Sequence, residues 1–213
     1  MIKHLVLATR NPDKGRELAA LLGTLGITLH TLAEFPDAPE VEEDGATCRE
    51  NAVKKAVAIA RFTGLPAVAD DTGLMVDALD GLPGVYAARY AGEGATYDDN
   101  CKKLLRELQG VPRDRRGARF ITVAALATSP TDVQVVEGEL LGEIAESPAG
   151  THGFGYDPVF VVPVLGNSLA QLSAEEKNRI SHRARAFAKL REILAKQGTE
   201  QVSCETSGRS AAR

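Results

Sequence analysis

Residues 2–32 read IKHLVLATRNPDKGRELAALLGTLGITLHTL, and three local signals in this stretch set the fold class. Ile2–Thr9 carries a short apolar run through Leu5, Val6 and Leu7, the pattern of a buried strand. Asn11-Pro12 then reads as a helix start. Asn11 serves as N-cap, and Pro12 takes the first helical position, where its missing N–H has no partner to lose. Leu18, Leu21, Leu22 and Leu25 return at helical spacing, and Gly26 closes the segment. Ile27–Leu32 is a second apolar run, so the chain opens strand, helix, strand.

The same alternation continues downstream. A polar loop from Glu34 to Gly45 leads to Thr47 and Glu50, a capping-box pair opening a helix to Phe62. Leu65–Ala69 is a further strand, expected to run out into a turn at Asp70-Asp71-Thr72-Gly73. Gly81–Gly94 is turn-rich and Thr96–Leu108 helical. Ala118–Ile144 is dense in Val, Thr and Ile and predicts two or three strands in hairpin order. Gly150–Asp157 is a glycine-dense loop before a strand at Pro158–Val162. Ser173 and Glu176 form another capping box, and a last helix is expected from Ser181 to about Lys196. The segment from Gly198 is polar, and residues 198–213 are expected to be a disordered tail after a single domain at 1–197. Alternating helices and strands followed by strands predict an α/β domain on a mixed sheet.

Composition narrows the function classes. Hydrophobic residues at 44% and charged residues at 25% are the balance of a globular enzyme. No basic segment with an apolar stretch stands at the start and no run is long enough to span a bilayer, so a cytoplasmic location is expected. Three cysteines without a C-x-x-C pair, and four histidines without H-E-x-x-H, argue against a disulfide framework and a zinc site. A net charge of −4 disfavours nucleic acid as partner. A polyphosphate substrate then requires a local gathering of basic groups and a cation to offset the rest.

Five clusters qualify for chemistry. Thr9-x-Asn11-x-x-Lys14 combines a hydroxyl, an amide and a lysine at a helix start, where free backbone N–H groups attract phosphate; plain capping with a solvated lysine is the simpler reading. It is not a Walker A loop. Asp70-Asp71 follows an apolar strand, and alternation along a strand lets only one of the two carboxylates enter a given pocket. Glu42-Glu43-Asp44 is an ordinary solvated acidic run unless folding sets one acid beside Asp71, where two carboxylates can share a Mg²⁺ with substrate oxygens. Gly153-Phe154-Gly155-Tyr156-Asp157-Pro158 either leaves an aromatic face open for stacking or is a tight turn around a core Phe. Lys177 with Ser181-His182-Arg183 puts an arginine against the dipole of a helix start, a locally unfavourable choice that hints at another use.

Taken in order, the segments L-A-T-R-N-P-D-K (7–14), E-N-A (50–52), A-D-D-T-G-L (69–74), P-G-V-Y-A-A-R-Y-A-G (83–92), G-F-G-Y-D-P (153–158) and I-S-H-R (180–183) resemble the HAM1/RdgB family of inosine triphosphate pyrophosphatases. The resemblance implies an elongated α/β fold of two lobes on a long mixed sheet with the substrate in a central cleft, a homodimer, and Mg²⁺ as cofactor. It implies hydrolysis of ITP, dITP and XTP to monophosphate and pyrophosphate. By similarity Thr9, Asn11 and Lys14, with Arg10, Pro12 and Asp13 around them, grip the triphosphate. Asp71 is the proton acceptor, Asp71 and Glu43 hold the metal, with Glu42 the open alternative to Glu43, and Thr72 lies beside the substrate. Phe154, Gly155, Tyr156, Asp157, Lys177, His182 and Arg183 form the nucleoside pocket. The chain departs from the family pattern at Arg10, where small residues are common, at Ala87, where many members have serine, and at His152, in place of a frequent glycine. The competing expectations are a Maf-like pyrophosphatase for modified nucleotides, a nucleotide-binding protein without catalysis, and a purely structural α/β protein.

Overall fold

The structure is a computed structural model that describes the backbone of residues 2–206 and the side chains of residues 2–196. Strand β1 (His4–Leu7) runs parallel to β2 (Thr28–Thr31) and to the start of β3 (Ala67–Val76). The crossover from β1 to β2 is helix α1 (Pro12–Leu22), capped as expected: Asn11 Oδ1 accepts the N–H groups of Asp13 and Lys14. Helix α2 (Cys48–Thr63) opens on the Thr47–Glu50 capping box and closes on Gly64 at φ +69°.

From β3 onward the sheet turns antiparallel. β3 also pairs with the short β4 (Pro83–Gly84), and along its whole length with β5 (Gly117–Ser129). β5 and β6 (Asp132–Ile144) form one long hairpin, so Ala118–Ile144 yields two strands and not three. β7 (Phe160–Val162) and β8 (Asn167–Ser168) complete an eight-stranded mixed sheet in the order β2-β1-β3-β5-β6-β7-β8, with β4 beside β3. The expected α/β architecture on a long mixed sheet is the one the chain adopts.

Asp70-Asp71-Thr72-Gly73 is not the expected turn. It lies in mid-strand, in register with Ala124, Val123, Thr122 and Ile121 of β5. Aspartates are poor strand residues, but strand preference is decided by what a side chain packs against. Here other elements supply each carboxylate with partners.

The sheet carries three cores. On one face, α2 packs Ala52, Ala56 and Ile59 onto Ala67, Ala69 and Ala125. On the other, Leu18 and Leu22 of α1 and Phe187 and Leu190 of α5 (His182–Thr206) cover Leu5, Leu7, Val68 and Leu126. Leu74, Val76 and Phe120, farther along β3 and β5, join a separate core with Leu104 of α3 (Tyr97–Glu107), Tyr156, Phe160 and Leu169. Two long strands thus serve two lobes, and their midpoint is the seam.

Helix α4 (Ala174–Ile180) precedes α5, whose first turn is capped by Ser181 Oγ accepting from Ala184 N. The α5 backbone continues past Lys196 to Thr206. Residues 198–206 of the expected tail are therefore helical. Extending an existing helix needs no new nucleus. Residues 207–213 of that tail lie outside the described residues. Among the described residues, no helix is long and apolar enough to cross a membrane.

Candidate active site

A cleft of about 300 Å³ opens at the seam between the lobes. Its wall includes Thr9, Arg10, Asn11, Lys14, Glu43, Asp71 and Thr72 from the first lobe and Phe154, Gly155, Tyr156 and Asp157 from the second. Lys177, His182 and Arg183, at the α4–α5 junction, complete it. Stretches far apart in sequence converge because the end of β1, the first turns of α1 and α5 and the middle of β3 meet at one place.

The N-terminal end of α1 does not offer free backbone donors. Capping by Asn11 takes the N–H groups of Asp13 (2.9 Å) and Lys14 (3.2 Å), and Asn11 N donates to Thr9 Oγ1 at 3.2 Å. Anion affinity there must come from side chains. Lys14 Nζ lies 3.5 Å from Asp70 Oδ2, and Arg10, which has no acidic partner among the described residues, donates to Ala38 O at 2.6 Å. Pro12 and Asp13 are not on the cleft wall. Pro12 is exposed at the first helical position, and Asp13 pairs with Arg16 one turn along.

Alternation along β3 sends the two aspartates to opposite faces. Asp70 faces α1 and α5, where Arg183 donates to its Oδ2 through Nε (3.1 Å) and Nη2 (3.0 Å). Burial alone would raise its pKa, but Lys14, Arg183 and Lys55 outweigh that and hold Asp70 well below the usual carboxylate range. Asp71 faces α2. Its Oδ2 accepts from Asn51 Nδ2 at 3.1 Å, and its Oδ1 lies 3.9 Å from Lys55 Nζ. Burial is the largest influence on Asp71 and leaves its carboxyl raised above the ordinary value, despite Lys55 and Lys14 nearby. A carboxylate made more basic by burial in a cleft has the character of a general base.

Glu43 reaches the same lysine, with Oε1 at 2.6 Å from Lys55 Nζ. Two further bonds hold its loop: Arg89 Nη2 donates to Glu43 O at 2.9 Å, and Gly45 N donates to Asn51 Oδ1 at 2.8 Å. Asn51 thus ties the loop that carries Glu43 to the carboxylate of Asp71. Gly45 admits that approach, since a Cβ there would stand 2.6 Å from Asn51 Oδ1. Among the described residues no group of three or more His, Cys, Asp or Glu side chains is placed to hold a metal. A pair of carboxylates at a cleft nonetheless suits Mg²⁺, which keeps waters and takes its remaining ligands from phosphate oxygens.

A chain of alternating charges, Lys14–Asp70–Arg183–Glu17–Lys177–Asp157, runs along the cleft, with Asp70 and Glu17 behind the cations that line it. Glu17 joins Arg183 (2.6 Å) to Lys177 (2.7 Å), and Lys177 pairs in turn with Asp157. Above it, the ring of Phe154 lies 4.8 Å from Lys177 Nζ and 5.4 Å from Arg183 Cζ. The loop folds tightly because Gly153 adopts φ +72° and lets Asp157 Oδ2 accept from Phe154 N at 2.8 Å. Arg183 is 2% exposed and commits its donors to Asp70, Glu17 and, at 3.1 Å, Thr72. His182 stacks on Phe120 at 4.3 Å, and its buried Nδ1 has no partner among the described residues. Burial, with Arg183 and Lys177 close by, depresses its pKa and keeps the ring neutral.

Comparison with known proteins places the chain in a family. The Ham1 family model matches residues 5–193. The chain belongs to the Ham1 family. A dITP/XTP pyrophosphatase of Geobacter sulfurreducens is 55% identical over 197 residues, covering 92% of this chain and 99% of that protein. One from Geobacillus kaustophilus is 52% identical, covering 90% and 94%. Among solved structures, a HAM1 protein from Coxiella burnetii superposes with a TM-score of 0.83 at 41% identity, covering 92% of this chain and all of that one.

Four side chains of this Ham1 protein enter the site without having been singled out in the sequence. Asn51 and Lys55 lie one turn apart on α2, and that i, i+4 spacing was the available signal, with Asn51 already inside the E-N-A segment. Glu17 follows Lys14 by one turn on α1 and looks like a surface acid until Lys177 and Arg183 fold onto it. Tyr97 gave no signal beyond standing after the helix cap Thr96.

Proposed function

We propose that this Ham1-family chain is a nucleoside triphosphate pyrophosphatase that hydrolyses non-standard purine nucleotides, ITP, dITP and XTP, to monophosphate and pyrophosphate. The observation that carries the proposal is the sharing of one cleft by Lys14 and Arg10, the Glu43/Asp71 pair around Lys55, and the Phe154–Lys177–His182 pocket. Cations for the phosphates come from the first lobe and an aromatic platform for the base from the second.

In the proposed reaction, Lys14 and Arg10 draw in the triphosphate and Phe154 supports the base. Asn51 occupies Oδ2 of Asp71, which leaves Oδ1 to take a proton from the water that attacks the α-phosphorus, with pyrophosphate departing. Glu43 and Asp71 are the residues that would hold Mg²⁺. That ion, when bound, offsets phosphate charge and polarises the phosphoryl oxygens. Base choice rests on matching donors with acceptors. A neutral His182 ring on the cleft wall would serve as a donor to the 6-keto oxygen of hypoxanthine or xanthine, whereas the 6-amino group of adenine would oppose it.

The assembly we propose is a cytoplasmic homodimer, in line with the family resemblance; free, buried Cys48 and Cys101 suit a reducing compartment. The deciding experiment incubates the protein with ITP, ATP and GTP in Mg²⁺ and in excess EDTA. Pyrophosphate, not orthophosphate, should appear from ITP in Mg²⁺ alone. Orthophosphate release, or equal rates on ATP, would overturn the proposal.

A further inference from the structure

Tyr97 belongs to none of the motifs above, yet it touches both ends of the cleft. It is the first residue of α3, whose Cys101 and Leu104 are buried in the core of the second lobe. From there its hydroxyl reaches the other lobe and accepts from Asn11 Nδ2 at 2.8 Å. Its ring lies 5.8 Å from that of Phe154. Asn11 stands at the phosphate end of the proposed substrate and Phe154 at the base end. The part of a nucleotide between those ends is the pentose.

We propose that Tyr97 is a specificity-determining residue whose hydroxyl binds a pentose hydroxyl of the substrate. This rests on the pyrophosphatase reading of the cleft and adds to it a contact with the sugar. A phenol has one O–H donor and acceptor lone pairs. Asn11 uses an acceptor site, while the donor has only Asp13 Oδ2 at 3.4 Å, a long and weak bond. The donor is thus available to a sugar oxygen. Burial raises the Tyr97 pKa, so the hydroxyl keeps its proton at neutral pH. The side chain lines the cleft and is 39% exposed, so a ligand can reach it.

The test compares wild type with Tyr97→Phe on ITP, dITP and 2′,3′-dideoxy-ITP. Loss of one hydrogen bond should lower kcat/KM for ITP about three- to tenfold, mainly through KM. The dideoxy analogue, which has no sugar hydroxyl, should lose nothing. An unchanged rate on ITP overturns the proposal. So does an equal loss on all three nucleotides, which would mean that the hydroxyl acts only through Asn11. The dITP arm assigns the contact to the 2′ position if the loss disappears there and to the 3′ position if it persists. Equilibrium binding of the same nucleotides in EDTA gives the same comparison without turnover. It therefore tests Tyr97 even if wild type releases no pyrophosphate and the enzymatic reading fails. Phe retains the ring, and thermal melts of the two proteins check that the fold is unchanged.

Discussion

Asp70 and Asp71 are identical in type and adjacent in sequence, and the structure gives them opposite environments. Asp70 is held by Lys14 and Arg183 through Oδ2, while Asp71 accepts from Asn51 and stands near Lys55 on the cleft wall. Replacing Asp71 with Asn should leave a folded protein whose kcat on ITP falls by about 10²–10⁴. Turnover near wild type would remove Asp71 from the chemistry. Asn51→Ala should act on the same step by releasing both Asp71 Oδ2 and the loop at Gly45. The expected signature is a kcat lowered at least about tenfold with a nearly unchanged KM, since neither contact holds ground-state substrate. A rise in KM alone would contradict a positioning role. Arg183 shows the limit of residue-level reading. The family resemblance puts it in the nucleoside pocket, but three of its four hydrogen bonds go to Asp70 and Glu17 and the fourth to Thr72. Asp70 lies on β3 and Glu17 on α1, too far along the chain from Arg183 for local sequence to indicate the pairing.

At the scale of elements, boundaries set by capping chemistry were legible. The Asn11-Pro12, Thr47–Glu50, Thr96 and Ser173–Glu176 signals each open a helix where the sequence placed it. The strand through Asp70–Gly73 was not legible, because its carboxylates are tolerated only with α2 and α5 in place. Contacts between elements were equally hidden. Gly138 of β6 drew no attention, yet a Cβ there would collide with His182 O and Ala186 N, so the first turn of α5 lies directly on the strand. Gly138→Ala should push that turn away and cost about 1–3 kcal/mol by overpacking. His182 and Arg183 would move with it, so KM for ITP should rise along with a lower melting temperature. A variant with wild-type stability and KM would show that α5 tolerates the displacement.

For the whole molecule, the buried charge chain makes stability depend on pH. The folded-state pKa of His182 is depressed below its usual 6.5, so as pH falls below 6.5 the unfolded chain binds a proton that the folded chain refuses. Stability is then lost toward acid. Asp70, also depressed, adds a second loss as pH falls below its usual 3.8. The melting temperature should therefore decline from pH 7 to 5 in wild type and decline less steeply in His182→Asn. Parallel slopes would show that His182 titrates normally in the fold.

By itself, the sequence determined what depends on neighbours a few residues apart: helix starts and stops, the alternating α/β order, and the ordered motifs that carry the family resemblance. These follow from hydrogen bonds and side-chain spacing within a turn or a strand. Tertiary structure alone decided which aspartate faces the cleft, that Asn51 and Lys55 attend it, that Glu17 spans two cations, and that Tyr97 crosses between lobes. Each of those depends on side chains brought together from distant elements, and such contacts form only when the shared sheet and its three cores have aligned them.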